Sequence, residues 1–331
     1  MSYLRRAIEL DTRNTDAYCA LAAACEKCGL PDVAMELFHE AIRSDPRCAR
    51  AYKGLAGHYL EQDRYDEAIR ACRRAVELDP DYEPGYVELA VASERTGNAA
   101  QAATALQHAI RLNPHNVHYR LGLARNLIQQ GLSRQAADCL RDAAAGFPDN
   151  IEARQSLAEL YADLGEYDRL IQQAKEMRAL SPRNPSAYEL LAIGYHQSGR
   201  LAEALDAVRR LIRLEPREAH HHLKLGVLLQ QQGRFAQAMH EYARAAAMHS
   251  EDPDTKHGAR EAIANLDEIQ IRQILLRAAE DRVFGVKLTR DPVAATLEYG
   301  FRLSEDALGA LMQIQLDDEQ AASDDYPPVY H

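Results

Sequence analysis

The sequence predicts an all-α fold: a stack of repeated helix pairs followed by a small helical C-terminal unit. Three observations carry that prediction. Pro46, Pro80, Pro114, Pro148, Pro182 and Pro216 recur every thirty-four residues. A second ladder, Gly29, Asp63, Gly97, Gly131, Gly165, Gly199 and Gly233, runs in step with it. Between the ladders, apolar residues repeat in fixed columns. A period of this size marks supersecondary units that bury a core only by stacking.

Set so that each unit ends two residues after its proline, the first repeat is 15–48, and seven tandem units fill 15–252. The seventh position is Leu in all of them: Leu21, Leu55, Leu89, Leu123, Leu157, Leu191 and Leu225. The eighth is Ala, with Gly226 in the last unit, and the fourth is most often Tyr, as in Tyr18, Tyr52, Tyr86 and Tyr188. Positions 4, 7, 8 and 11 follow the helical period and predict one apolar stripe on a first helix; positions 20, 24 and 27 predict another on a second. Small residues at 8 and 20 (Ala34, Ala68, Ala102, Ala136, Ala204 and Ala238) let the two axes approach. The Gly ladder supplies the left-handed residue of the tight turn, and Asp63 is among the few substitutes that tolerate it. The proline ladder ends each second helix by removing a donor.

Residues 1–14 fit the register as a lone second helix with Leu4, Ala7 and Leu10 on its apolar side, so the array is expected to begin mid-repeat. Repeat five departs from the columns: Leu170 replaces the small twentieth residue, Ala174 the large twenty-fourth, and Met177 an Ala. The swap conserves volume, which predicts repacking and a local change of helix angle. Ser250 stands where the next proline would fall. Beyond it, 253–267 reads as a capping helix through Ala259, Ile263 and Leu266, and 268–316 as a small helical domain. Its helices are expected over 269–281, 282–288, from Pro292 to Gly300, and from a Ser304 cap to Ile314. The tail 317–331 carries five acids and Pro327-Pro328 and reads as disordered.

The spacing Tyr-x-x-Leu-Ala…Gly…Ala…Ala…Pro over 15–252 resembles the tetratricopeptide repeat (TPR) family. That resemblance implies a right-handed superhelical solenoid whose concave groove holds peptides or partner segments. It also implies that positions 2, 5, 6, 9, 12 and 13 of the first helices line the groove. The groove candidates are then Arg50, Lys53 and Gly57; Val87, Val91 and Arg95; Leu121, Arg125 and Ile128; Leu190 and Ile193; and Lys224 and Val227. Val87, Val91, Leu121, Ile193 and Val227 would supply apolar contact, and Lys53, Arg95, Arg125 and Lys224 register and orientation. Chaperone-binding members carry a Lys and Asn clamp for a C-terminal carboxylate; here Lys53 is present, but Gly57 and Glu88 stand where the Asn residues would be. The C-terminal pattern Leu275-x-Arg277-Ala278-x-x-Asp281…Phe284…Leu288…Asp291-Pro292-x-Ala294…Glu298-Tyr299-Gly300-Phe301…Leu303-Ser304 resembles leader-like helical domains of bacterial ribosomal-peptide precursors. That implies a regulatory or accessory role toward peptide-modifying machinery, or an autoinhibited adaptor, as the alternative function.

The net charge of −11 argues against nucleic acid, which needs a basic surface. No apolar run approaches the roughly twenty residues of a membrane helix. Residues 253–331 hold 15 acids against 8 bases and supply most of the negative charge. The six cysteines read as isolated small fillers in a reduced, cytoplasmic setting. Cys25-Glu-Lys-Cys28 has half-site spacing but no second pair. His220, His221 and His222 point about 100° apart on a helix and cannot converge on one metal, with His222 in the aromatic slot and the other two facing solvent. No nucleophile–base set or phosphate loop is present. The sequence therefore predicts a non-enzymatic protein–protein interaction scaffold without cofactor or metal, whose partner is a protein or peptide segment; the oligomeric state stays open.

Overall fold

The computed structural model describes residues 2–248 and 253–313. The end of the proline ladder at Ser250 and the expected tail over 317–331 lie outside them. Among the described residues every regular element is an α-helix, and the chain divides into two compact units between Leu164 and Gly165.

In the first unit, α1 (Ser2–Leu10) precedes four helix pairs. These are α2 (Thr15–Lys27) with α3 (Pro31–Ser44), and α4 (Ala49–Glu61) with α5 (Tyr65–Leu78). Then come α6 (Glu83–Arg95) with α7 (Ala99–Leu112), and α8 (Val117–Gln129) with α9 (Ser133–Gly146), and the unit ends on α10 (Ile151–Asp163). The second unit begins with α11 (Tyr167–Leu180) and holds two pairs, α12 (Pro185–Gln197) with α13 (Leu201–Leu214), and α14 (Ala219–Gln231) with α15 (Phe235–Ala247). It continues into α16 (Pro253–Glu280), α17 (Arg282–Arg290), α18 (Pro292–Glu298) and a last helix, α19, over 305–313.

Both ladders do the work their chemistry predicts. The turn glycines have φ between 71° and 75°, and Asp63 takes the same conformation at φ 58° while its carboxylate accepts the Tyr65 hydroxyl at 2.5 Å. Each second helix that precedes a ladder proline stops two residues before it, and the residue between, such as Asp45 or Asp79, is extended as a residue before proline must be. All seven Leu of the seventh position are buried, and the twentieth position is fully inaccessible in every repeat. Glycines make room for the largest fillers of the twenty-fourth position: a Cβ on Gly54 would lie 2.2 Å from the Phe38 ring, and one on Gly226 2.4 Å from the Tyr242 ring.

The repeat-five departure is accommodated the same way. Leu170, Ala174 and Met177 are all fully buried, and a Cβ on Gly194 of α12 would stand 2.6 Å from Leu170 Cδ2 and 2.7 Å from Ile171 Cγ1. The extra volume of Leu170 is thus accepted by the next first helix, not only by its own partner at Ala174.

Two expectations are corrected. Leu10 of α1 is 75% exposed; Leu4 and Ile8, four residues apart, are the ones packed against the first core. Leu10 falls in the column of Ser44, Leu112 and Leu180, the last residue of each second helix, where side chains are half-buried to exposed. The break expected between 267 and 268 does not occur. α16 runs through it for 28 residues, because no Gly or Pro interrupts 259–280. The register also outlives the proline ladder: Pro253 opens α16 as Pro185 opens α12, and Thr255 and Ala259 are buried in the third and seventh positions. α16 packs on α14 and α15 as a next first helix would. Asp267 then occupies the turn position of Gly29 and Asp63, but within the helix. Its buried carboxylate accepts the Ser304 N–H at 3.0 Å instead of shaping a turn.

Past that point α16 supplies the floor of a separate cluster. Ile274, Phe284, Leu288, Ala295 and Leu311 form its centre, with Tyr299, Phe301 and Leu303 around it. Gln270, fully buried, donates to the Arg302 carbonyl at 2.8 Å and accepts the Arg302 N–H at 2.9 Å. Asp281 and Asp291 cap α17 and α18, and the Ser304 hydroxyl accepts the Ala307 N–H at the start of α19.

Candidate binding clefts on the first helices

Consecutive first helices touch one another directly in several repeats, α2 with α4, α4 with α6, and α8 with α10. Their shared face is where the groove candidates fall, and within each unit the structure sorts them into three groups.

The first group is occupied. Lys53 Nζ lies 2.9 Å from Glu88 Oε1 in the next repeat. Burial favours the neutral amine, but the bond and charge of Glu88 outweigh it and leave the Lys53 pKa raised. Lys224 Nζ is likewise 2.5 Å from Glu189 Oε1. Arg50 lies 4.0 Å from Asp16, between two largely exposed side chains. Lys53 and Lys224, expected to set a partner's register, thus bridge adjacent first helices, one in each direction of charge. Asn126 to Glu94 at 2.6 Å and His196 to Gln231 at 2.9 Å extend the same kind of bridge.

The second group is core. Leu121 and Leu190 are each 6% exposed. Leu190 serves packing alone; Leu121 forms the floor of a cleft. Gly57 and Val87 are half-buried.

The third group is available. In the first unit Val91, Arg95, Arg125 and Ile128 are exposed. Arg125 and Ile128 border a cleft of about 200 Å³ between α8 and α10, floored by Leu121, Ala124 and Leu160. Three carboxylates, Glu152, Glu159 and Asp163, stand around it with the single cation Arg125. In the second unit Ile193 and Val227 line a cleft of about 290 Å³ with Ala192, Leu223 and Leu228. His196, His220 and Lys224 give it a polar rim.

Ser156, Asp163, His220 and Leu223 were missed as cleft residues, although they occupy the sixth, thirteenth, second and fifth positions, so the same column arithmetic finds them. The histidine triplet also differs from expectation in one member. His221 is buried, with Nε2 2.9 Å from Glu215, as is His222, with Nδ1 2.7 Å from Glu241; only His220 faces outward. Of Cys25 and Cys28, one is buried and the other exposed. Among the described residues no group of three or more His, Cys, Asp or Glu could hold a metal ion, and no helix is long and apolar enough to cross a membrane.

The tetratricopeptide repeat model matches residues 27–83, 87–132 and 189–254, together just over half of the chain. The bacterial transcriptional activator domain model matches 134–219. No curated protein matches. Among solved structures the chain is similar to YrrB, described as a TPR protein with an unusual peptide-binding site (18% identity, TM-score 0.48, over 60% of this chain and 97% of that one). It is also similar to a tetratricopeptide repeat protein from Parabacteroides merdae (17%, 0.48, over 75% and 98%) and to pilF of Pseudomonas aeruginosa (26%, 0.46, over 57% and 86%). With the model matched over more than half its length, this chain belongs to the tetratricopeptide repeat family.

Proposed function

We propose that the chain holds a segment of a partner protein against its first helices, with an apolar side chain of that segment anchored in the cleft of Ile193 and Val227. The fold itself is a protein–protein interaction scaffold. The observation that carries the finer reading is that cleft: Ile193, Leu223 and Val227 stay accessible, Val227 at 38%, over a floor of buried Ala192 and Leu228. An apolar concavity with a few polar groups at its edge is what an anchor residue needs. The rim adds little net charge, since Lys224 is already paired with Glu189. Specificity there comes from shape and from the imidazoles of His196 and His220. The separate cleft of the first unit has the opposite character. Three carboxylates against Arg125 favour a segment carrying Lys or Arg beside its apolar residue.

The test places a photo-crosslinking residue at Leu223 and identifies captured proteins by mass spectrometry in the wild-type and Ile193→Asp/Val227→Asp backgrounds. The proteins captured by the wild type are expected to disappear in the double variant and to persist in Val33→Asp, which changes an exposed position on α3. Unchanged capture by a folded Ile193→Asp/Val227→Asp protein refutes the assignment.

A further inference from the structure

Cys19 and Cys48 are twenty-nine residues apart in sequence, and the first repeat brings their sulfurs to 3.8 Å. Both are free thiols. Cys19 sits on α2 and is 1% exposed; Cys48 immediately precedes α4 and is partly open to solvent. The other four cysteines form no such sulfur pair among the described residues. The two thiols are also unequal. The contact with Cys19, with the Ala51 amide and the Thr15 hydroxyl, holds Cys48 below the ordinary thiol value against the effect of burial; Cys19 is pushed up in turn. A reactive thiol with a resolving thiol in contact is the arrangement that converts oxidation into a cross-link instead of damage.

We propose that Cys19 and Cys48 are a peroxide-sensitive pair that closes into a reversible disulfide joining α2 to the start of α4. Exposure sets the order. The Cys48 thiolate attacks hydrogen peroxide: an S–O bond forms, the O–O bond breaks, and the departing hydroxide takes up a proton as water. Cys19 then gives up its proton and attacks the Cys48 sulfur. The S–S bond forms, the S–O bond breaks, and the second hydroxide leaves as water with that proton. Two thiols lose two electrons in all, and one peroxide gains them to become two waters. A disulfide of about 2.05 Å requires the sulfurs to close by roughly 1.8 Å, which rotation of Cys48 at the exposed start of α4 can supply. The bond would fix the first repeat to the second beside Arg50 and Lys53, on the face described above.

The experiment treats the full chain with hydrogen peroxide, quenches with catalase, alkylates remaining thiols and maps tryptic peptides. The expected product joins the peptide 14–27, through Cys19, to the peptide 48–50, and dithiothreitol reverses it. In Cys19→Ser the Cys48 sulfenic acid should instead be trapped by dimedone, and in Cys48→Ser the Cys19 thiol should stay unmodified. Failure of Cys48 to oxidise, oxidation without the link to Cys19, or a link to Cys25 or Cys28 instead overturns the proposal. The wild-type map decides it even where a serine variant does not fold.

Discussion

Replacing Gly194 with Ala in the wild type and in Leu170→Ala tests whether the two helices on either side of the fifth proline are fitted to each other. In the wild type the new Cβ would stand 2.6 Å from Leu170 Cδ2 and 2.7 Å from Ile171 Cγ1, closer than packed carbons approach. Overpacking of that kind costs about 2 kcal/mol, and the gain in helix propensity from Gly to Ala returns about 1, so Gly194→Ala should destabilise by about 1 kcal/mol. Leu170→Ala alone removes a fully buried side chain and should cost about 3 kcal/mol. In that background the clash with Leu170 is gone and Ile171 has space to retreat. Gly194→Ala should then stabilise by about 1 kcal/mol, giving a coupling of about 2 kcal/mol between the two positions. Repeat arrays unfold by neighbouring units, so the readout is native-state hydrogen exchange of the α11 and α12 amides, with urea unfolding followed by circular dichroism alongside. An effect of Gly194→Ala that agrees between the two backgrounds to about 0.5 kcal/mol would refute the reasoning.

Three further outcomes follow from other contacts. Burial acts to raise the Glu189 pKa, but the bond and charge of Lys224 prevail and hold it below the ordinary 4.5. Its stabilisation is therefore fully present above pH 4.5 and disappears as pH falls through the lowered value. Glu189→Gln should cost about 0.5 kcal/mol at neutral pH and nothing in strong acid, by urea midpoints against pH. Asp267→Ala removes the acceptor of the Ser304 N–H and should cost about 1 kcal/mol, read as faster amide exchange over 305–313 while the α14 and α15 amides keep their protection. Asp63→Ala keeps a Cβ at φ 58° and loses the Tyr65 contact, so it should lower the urea midpoint, whereas Asp63→Gly should hold it within about 0.5 kcal/mol of wild type.

How much of this was legible in the sequence depends on the range of the interaction. The turn at Asp63 was readable because backbone strain is local and the column named the residue. The burial of the Leu column was readable because a helical stripe needs only the period. The ion pair of Lys53 was not readable, because its partner Glu88 lies one repeat away, at a distance that column positions do not state. Cys19 and Cys48 were read as isolated fillers for the same reason. α16 was divided at 267 because the proline ladder had ended, although Asp267 stood in the turn column; whether a residue there breaks a helix depends on Ser304, thirty-seven residues onward. The His221 contact with Glu215 reaches back six residues across the proline turn, outside any helical stripe.

The uninterrupted α16 makes helical phase a property of the C-terminal half. One rod carries the end of the stack on Thr255 and Ala259 and the terminal cluster on Gln270 and Ile274. Each residue of helix advances about 1.5 Å and turns about 100°. Deleting one residue within 260–266 would swing the terminal cluster by that angle, whereas deleting all seven would return it to nearly the same azimuth, about 10 Å closer. The azimuth of the terminal cluster is thus set by the residue count of a single helix, as the indexing of a camshaft is set by its length and pitch.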